Sequence, residues 1–102
     1  MTPPVRLTPR AVEDLREIGR YTVKVWGKTK RDLYLRALDS RFAWLAENPL
    51  RGRPRPDIAQ GYHSFPHASH VIFYLIRDGG VDIIGVVHQA MDIAAHMTGG
   101  DS

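Results

Sequence analysis

A proline-rich, basic segment at residues 49–56 divides the chain into two parts with different hydrophobic periods. The segment reads Pro-Leu-Arg-Gly-Arg-Pro-Arg-Pro, and its three prolines lack the amide proton that a continuing helix or a sheet ladder requires. Before it, apolar residues recur every three or four positions, whereas after it the apolar runs are short and rich in β-branched and aromatic residues. The sequence therefore predicts helices followed by strands, joined by a basic connector without regular structure.

Two helices are predicted ahead of the connector. Thr8 is suited to cap the first helix, because Pro9 follows at the first helical position, and Gly27 supplies its stop. Thr29 is suited to cap the second helix, which is expected to end at the Asn-Pro pair of residues 48–49. Because only two or three residues separate the helices, we expect an antiparallel helical hairpin with one shared apolar seam.

Strands are predicted on both sides of this hairpin. A short strand at residues 5–7 precedes it, and three antiparallel strands follow the connector at residues 62–65, 70–76 and 81–88. The Asp-Gly-Gly sequence at residues 78–80 is typical of a hairpin turn between the last two strands. These two strands are apolar almost throughout, which indicates that both faces of the sheet are covered.

The predicted fold class is α+β. An N-terminal short strand and an α-helical hairpin pack on a three- to four-stranded antiparallel sheet, and a short helix around residues 91–97 follows. That helix or a second protein is expected to cover the sheet face away from the hairpin. With 102 residues the chain forms a single domain, residues 1–97, followed by a frayed tail at residues 98–102.

Charge is distributed unevenly along the chain. Residues 1–56 hold thirteen of the fourteen lysines and arginines, and residues 57–102 hold all five histidines, for a formal net charge of +3. This pattern fits either a basic surface that faces an anionic partner or helix exteriors that are simply solvated. The chain has no cysteine and no apolar run long enough for a membrane span, so we expect a cytoplasmic protein without membrane contact.

Few residue patterns in the sequence can support chemistry. No glycine-rich phosphate loop or serine nucleophile motif is present, and no cofactor is predicted. His63, His67 and His70 have a spacing that can bind zinc, but their expected places on two strands and a turn need not converge, so no metal site is predicted. One enzymatic hypothesis stays open: metal-free RNA cleavage with His88 as acid or base and Arg77 as phosphate clamp. Alternatively, Arg77 forms a surface charge pair with Asp78.

Short strings of residues, each weak alone, follow one another in a fairly specific order over nearly the whole chain. They are Leu7-Thr8-Pro9 with Ala11, Asp14, Leu15 and Ile18; Tyr21; Trp26-Gly27; Tyr34, Leu38 and Phe42; Leu45-Ala46; Asn48-Pro49; Gly52-Arg53 and Arg55; Asp57-Ile58; Gly61-Tyr62; His70; Ile72-Phe73-Tyr74; Val87-His88; Met91-Asp92; and His96. In this order they resemble the ParE branch of the RelE/ParE superfamily, the toxins of bacterial toxin–antitoxin pairs.

The resemblance implies a toxin that poisons DNA gyrase by binding and stabilising its cleaved complex with DNA. It also implies a ParD-like antitoxin that wraps the toxin in a hetero-oligomer and that alone contacts operator DNA. RelE-branch RNases use several basic residues from the sheet and tail, whereas this sheet offers only Arg77 and His88, which favours ParE. The chain also has His63 and Leu75 where such toxins often carry arginine, and Ser69 where a basic or small polar residue is common.

The candidate sites follow from this resemblance and from the apolar seam. No catalytic residue is predicted for the gyrase hypothesis. Antitoxin binding is predicted at Leu15, Ile18, Trp26, Tyr34, Leu38, Phe42, Leu45 and Phe73. Target binding is predicted at Arg51, Arg53, Arg55, Arg77, His88 and His96. The alternatives are a ribosome-dependent mRNA endonuclease that uses His88 and Arg77, and a non-toxic module that only binds antitoxin. Trp26 and Trp44 are expected in the core or seam, with an exposed partner anchor as the alternative.

Overall fold

In a computed structural model that describes residues 2–91, a helical hairpin packs on one face of a five-stranded sheet. The elements are β1 (Val5–Leu7), α1 (Pro9–Trp26), α2 (Lys28–Glu47), a 3₁₀ turn (Pro49–Arg51), β2 (Arg53–Pro54), β3 (Tyr62–His67), β4 (His70–Arg77) and β5 (Gly80–His88). The strand order is β1-β5-β4-β3-β2. The predicted α+β class is confirmed. The predicted helix at 91–97 and tail at 98–102 fall beyond Met91, outside the described residues.

The helical hairpin begins and turns at the residues that the sequence marks. The Thr8 hydroxyl accepts a hydrogen bond from the Ala11 amide at 3.2 Å, so Thr8 caps α1 as predicted. Gly27 ends α1 with φ +91°, a conformation that favours glycine, and α2 starts at the next residue. The prediction that Thr29 caps α2 is therefore wrong, because Gly27 occupies the capping position and Thr29 lies inside the first turn.

The sheet is larger and more mixed than predicted. β1 pairs in parallel with β5, with Val5 beside Val81, so the sheet is not purely antiparallel. β2 pairs with β3 through Arg53 beside Ser64, although the connector was expected to lack sheet structure. This pairing is possible because β2 is an edge strand, where the missing amide proton of Pro54 costs no ladder hydrogen bond. Proline is unfavourable in a central strand, but it is tolerated in an edge strand, and the prediction did not make this distinction.

The core lies between the helical hairpin and one sheet face. Its fully buried side chains include Leu38, Phe42, Leu45, Ile72, Tyr74, Val81 and Ile83. Asp14 on α1 is also buried there, and its carboxylate accepts the Val86 amide hydrogen bond at 3.0 Å, which ties α1 to β5. Trp44 is half-buried against Phe65. Trp26 is 63% exposed, so its prediction as a core or seam residue is wrong.

The opposite sheet face has a smaller apolar cluster. Phe73 and Val87 are buried at its centre, and Ile58 and Tyr62 pack against them. The sequence predicted that a tail helix or a second protein would cover this face, but Ile58, in the loop between β2 and β3, covers part of it. No helix among residues 2–91 is both long and apolar enough to cross a membrane.

Candidate functional site

Arg77 and His88, the pair in the RNA-cleavage hypothesis, lie at opposite ends of the β4–β5 ladder. His88 pairs with His70 at one end, and Arg77 pairs with Gly80 beside the turn at the other. Seven residues of strand separate the two ends, which corresponds to about 23 Å at 3.3 Å per residue. The two side chains therefore cannot act on one phosphate group.

The turn end of the ladder holds a network of ion pairs. Arg77 Nε donates to one oxygen of Asp82 at 2.6 Å, and Arg6 Nε donates to the other at 2.5 Å. Arg77 also contacts the Asp78 carboxylate at 3.2 Å. Hydrogen bonds from Arg6 and then from Arg77 hold the pKa of the buried Asp82 carboxyl below its usual range. The predicted surface pairing of Arg77 with Asp78 is confirmed. Because Arg77 also contacts Asp82, its guanidinium is engaged within the protein.

The open end of the ladder borders a cleft of about 630 Å³ between the sheet and the helical hairpin. Its walls are aromatic and titratable side chains: Tyr21, Trp26 and Tyr34 from the helices, and His70 and His88 from the strands. Among the described lining residues, Lys30 is the single lysine or arginine, and its ammonium lies 5.8 Å from the centre of the Trp26 ring. The cleft therefore offers apolar and imidazole surface but little positive charge.

Tyr34, His70 and His88 form the polar cluster of this cleft. The Tyr34 hydroxyl and His70 Nδ1 are 2.6 Å apart, and the rings of His70 and His88 meet edge to face at 5.6 Å. Burial, and then repulsion from His88, lowers the pKa of His70, so its imidazole is neutral at pH 7. His88 Nδ1 accepts the Ala90 amide hydrogen bond at 3.1 Å. The cluster can exchange protons, but it lacks the cations that would stabilise a phosphorane.

Sequence reasoning missed His70 as a partner of His88 in this cleft. Counting the hairpin register back from the turn at residues 78–79 places the start of β4 near the end of β5, but it pairs His70 with Val87. A β-bulge between Phe73 and Tyr74 shifts the register by one residue and brings His88 opposite His70. The role of Tyr34 could not be found in this way, since it depends on how α2 lies across β4. Among the described residues, no group of three or more histidines, aspartates or glutamates could hold a metal ion.

A second groove follows the outer side of the helical hairpin. It has a volume of about 440 Å³ and is lined by apolar side chains from β1, α1 and α2 together with three arginines: Leu7, Val12, Leu15, Val23, Leu35, Arg16, Arg20 and Arg31. Glu13 and Glu17 pair with the exposed arginines of α1 at the rim. Such pairs between exposed side chains contribute little and can exchange partners. We call this surface the hairpin groove.

The predicted antitoxin-binding residues divide into two groups. Leu38, Phe42 and Leu45 are buried between the helices and the sheet, so this part of the apolar seam is core, and Phe73 is buried in the cluster on the opposite sheet face. These four side chains present no surface to a partner. Leu15 lines the hairpin groove, whereas Ile18, Trp26 and Tyr34 line the cleft. For these four residues, antitoxin binding stays a prediction.

The predicted target-binding residues are spread over separate places. Arg51 and Arg53 are exposed on the connector, whereas Arg55 contacts the Asp57 carboxylate at 2.8 and 3.0 Å and lies over the Phe73 ring. That contact lowers the pKa of Asp57. Arg77 and His88 lie at the two ends of the β4–β5 ladder, and His96 lies outside the described residues. The structure therefore brings together only the three connector arginines.

A family model described as the ParE toxin of the type II toxin–antitoxin system parDE matches residues 5–93. Toxin ParE1 of Caulobacter vibrioides is 37% identical over 94 residues, which cover 92% of this chain and 97% of the relative. Toxin ParE1 of Mycobacterium tuberculosis is 36% identical over 88 residues, which cover 85% of this chain and 90% of the relative.

Solved structures with a similar fold come from toxin–antitoxin complexes. A chain of the chromosomal ParDE system from P. aeruginosa superposes with a TM-score of 0.72 at 16% identity, covering 85% of this chain and 96% of that one. A chain of the toxin–antitoxin complex RelBE2 from Mycobacterium tuberculosis superposes with a TM-score of 0.60 at 26% identity, covering 87% of this chain and 100% of that one.

Proposed function

Because this chain belongs to the ParE toxin family of type II toxin–antitoxin systems, as its ordered strings predicted, we propose that it acts by binding rather than by catalysis. It binds DNA gyrase, stabilises the cleaved gyrase–DNA complex in the cytoplasm, and is neutralised by a ParD-like antitoxin. The observation that carries the non-catalytic part of the proposal is the separation of Arg77 from His88.

The composition of the cleft supports the same proposal. Metal-free RNA cleavage needs a base, an acid and cations around one phosphate. Among the described residues, the cleft supplies two imidazoles, two phenols and the carboxylates of Asp14 and Glu17, but its one lysine, Lys30, lies against the Trp26 ring. The remaining candidate clamp, Arg77, is held by Asp82 at the far end of the ladder. A binding role requires none of these groups to transfer a proton.

Gyrase supercoiling and cleavage assays with the purified full chain test this proposal directly. We expect loss of supercoiling and accumulation of cleaved DNA, with no cutting of translated message. H88A should keep most of this inhibition, because His88 is distant from the arginines of the connector. The ribosome-dependent endonuclease alternative predicts cut message and complete loss of toxicity in H88A. Harmless expression without any antitoxin would instead favour the non-toxic binding module.

For the antitoxin, we propose a disordered segment that becomes helical in the hairpin groove and adds a strand beside β1. The groove combines apolar side chains with three arginines, whose exposed ion pairs with Glu13, Glu17 and Asp32 can be exchanged for an acidic helix face, which suits a helix with one apolar and one acidic face. β1 pairs only with β5 among the described strands, so its outer edge can accept another strand.

An affinity measurement with paired variants tests this docking site. L15E places a charge among the apolar side chains of the groove and should weaken antitoxin binding at least tenfold. L50E is the matched control, because Leu50 is 82% exposed on the 3₁₀ turn and lies away from the groove. Equal loss in both variants, or hydrogen exchange without new protection in residues 9–46 of the complex, would exclude this site.

A further inference from the structure

Arginines surround the β2 edge of the sheet from three directions. Arg53 lies on the edge strand itself, beside Ser64 of β3. Arg55 reaches one face of the sheet, where its guanidinium lies 3.4 Å from the Ser64 hydroxyl. Arg41 of α2 reaches the other face, 5.2 Å from the centre of the Phe65 ring. Together with Arg51 on the preceding 3₁₀ turn, these residues form what we call the arginine edge.

Aromatic rings hold the Arg41 guanidinium in place, but no acidic side chain pairs with its charge among residues 2–91. Its guanidinium carbon lies 4.9 Å from the Trp44 ring centre, so Trp44 and Phe65 together fix the group. Its Nε is buried and has no hydrogen-bond partner. A guanidinium oriented in this way loses little side-chain freedom when it binds an anion, which favours binding.

The positive charge of the edge is largely uncompensated. Between residues 48 and 76 the sequence has three arginines and a single acid, Asp57, which Arg55 engages. Arg41, Arg51 and Arg53 form no ion pair within residues 2–91. Three cations on one side of a small domain create a local field that attracts an anionic partner.

The backbone of this edge disfavours an added peptide strand. The Tyr62 carbonyl accepts a hydrogen bond from the Arg55 amide. The backbone hydrogen-bonding groups of every second residue of β3, counted from Tyr62, therefore point toward the β2 side of the sheet. Pro66 occupies the outward position beyond Ser64 and has no amide proton to donate. A partner at this edge must therefore be recognised by side chains, and guanidinium groups recognise phosphate oxygens well.

Three aromatic rings beside the edge are already covered. Arg41 lies over Trp44 and Phe65, and Arg55 lies over Phe73. Single-stranded nucleic acids are usually bound by exposed rings on which their bases stack. Because these rings are not available for stacking, the edge suits a duplex backbone better than an unpaired strand.

We propose that the arginine edge binds the phosphodiester backbone of duplex DNA without reading its sequence. Such binding leaves operator recognition to the antitoxin. This proposal rests on the proposed function and deepens it, since a toxin bound to a cleaved gyrase complex would lie beside DNA. Because DNA binding is measured without gyrase, a failure of one proposal can be distinguished from a failure of the other.

The test is fluorescence anisotropy of the full chain with a labelled duplex of about 20 base pairs, titrated at several salt concentrations. Each neutralised phosphate contributes about −0.9 to the slope of log affinity against log salt, so three contacts predict about a 40-fold loss between 50 and 200 mM salt. R51Q/R53Q should weaken binding at least tenfold and reduce the slope by about 2.

K24Q/K28Q is the matched control, because these exposed lysines carry the same charge at the tip of the helical hairpin. It should change affinity less than threefold. Thermal unfolding should show that all variants are folded. No binding at 50 mM salt, equal losses in edge and control variants, or a tenfold preference for single-stranded RNA over the duplex would each overturn the proposal.

Discussion

At the β1 edge of the sheet, Arg6 and Arg77 share the carboxylate of Asp82, whereas at the β2 edge Arg51 and Arg53 have no ion-pair partner among residues 2–91. The first pair of arginines contacts a buried acid and joins β1 to the β4–β5 hairpin. The second pair faces solvent, and the one acid nearby in sequence, Asp57, is already paired with Arg55. The comparison indicates that cations at one edge stabilise the fold, while those at the other remain available to a partner.

Both edges are nevertheless attached closely to the rest of the molecule, in each case through a glycine. A Cβ on Gly52, ahead of β2, would overlap the hydroxyl group of the buried Tyr74, and a Cβ on Gly80 would overlap the Pro4 carbonyl beside β1. Tyr74 in turn donates a hydrogen bond to the Pro49 carbonyl at 2.7 Å. The two edges therefore differ in their electrostatics rather than in how tightly they pack.

The largest predicted change in the free energy of unfolding concerns the close packing of the β2 edge at Gly52. G52A should reduce the free energy of unfolding by about 3 kcal/mol, because the added methyl group displaces the Tyr74 ring and breaks its hydrogen bond to Pro49. Denaturant unfolding followed by circular dichroism measures the loss. G79A is the control, since Gly79 has φ +76° with nothing within 4 Å and should cost only the backbone strain of about 1 kcal/mol. Equal losses would mean that Tyr74 does not fix the β2 edge.

The second prediction separates the two edges by their acids. D82N should reduce the free energy of unfolding by about 2 kcal/mol at neutral pH, because Arg6 and Arg77 lose their shared carboxylate. D57N at the other edge should change stability little, because Asp57 is exposed. Comparable losses in the two variants would remove the electrostatic difference on which the comparison depends.

The pH dependence of stability sharpens the same difference. The pKa of Asp82 is lowered in the folded protein, so its contribution is complete above the ordinary value of 3.8 and disappears as the pH falls through the lower, folded value. D82N should therefore flatten the stability profile below about pH 4. Urea unfolding at stepped pH values measures this slope, and an unchanged slope in D82N would contradict the assignment.

The sequence predicted local features of the two edges better than long-range ones. The cap at Thr8, the stop at Gly27 and the hairpin after β4 depend on nearby residues and were predicted correctly. The parallel pairing of β1 with β5 joins residues more than seventy positions apart, and no local pattern specifies it. Trp26 looked apolar enough for the core, but its place at the end of α1 leaves it exposed. The contact between Tyr34 and His70 likewise requires knowledge of how the layers pack.

The smallest predicted effect concerns the arginines at the β2 edge. R51Q/R53Q should change the free energy of unfolding by less than about 0.5 kcal/mol, because both side chains are exposed and neither forms an ion pair within the described part of the chain. R6Q at the β1 edge should cost more, since it leaves Arg77 as the remaining cation on Asp82. If R51Q/R53Q instead destabilised the protein as much as R6Q, these arginines would serve the fold, and any loss of DNA binding in that variant would reflect unfolding rather than a missing phosphate contact.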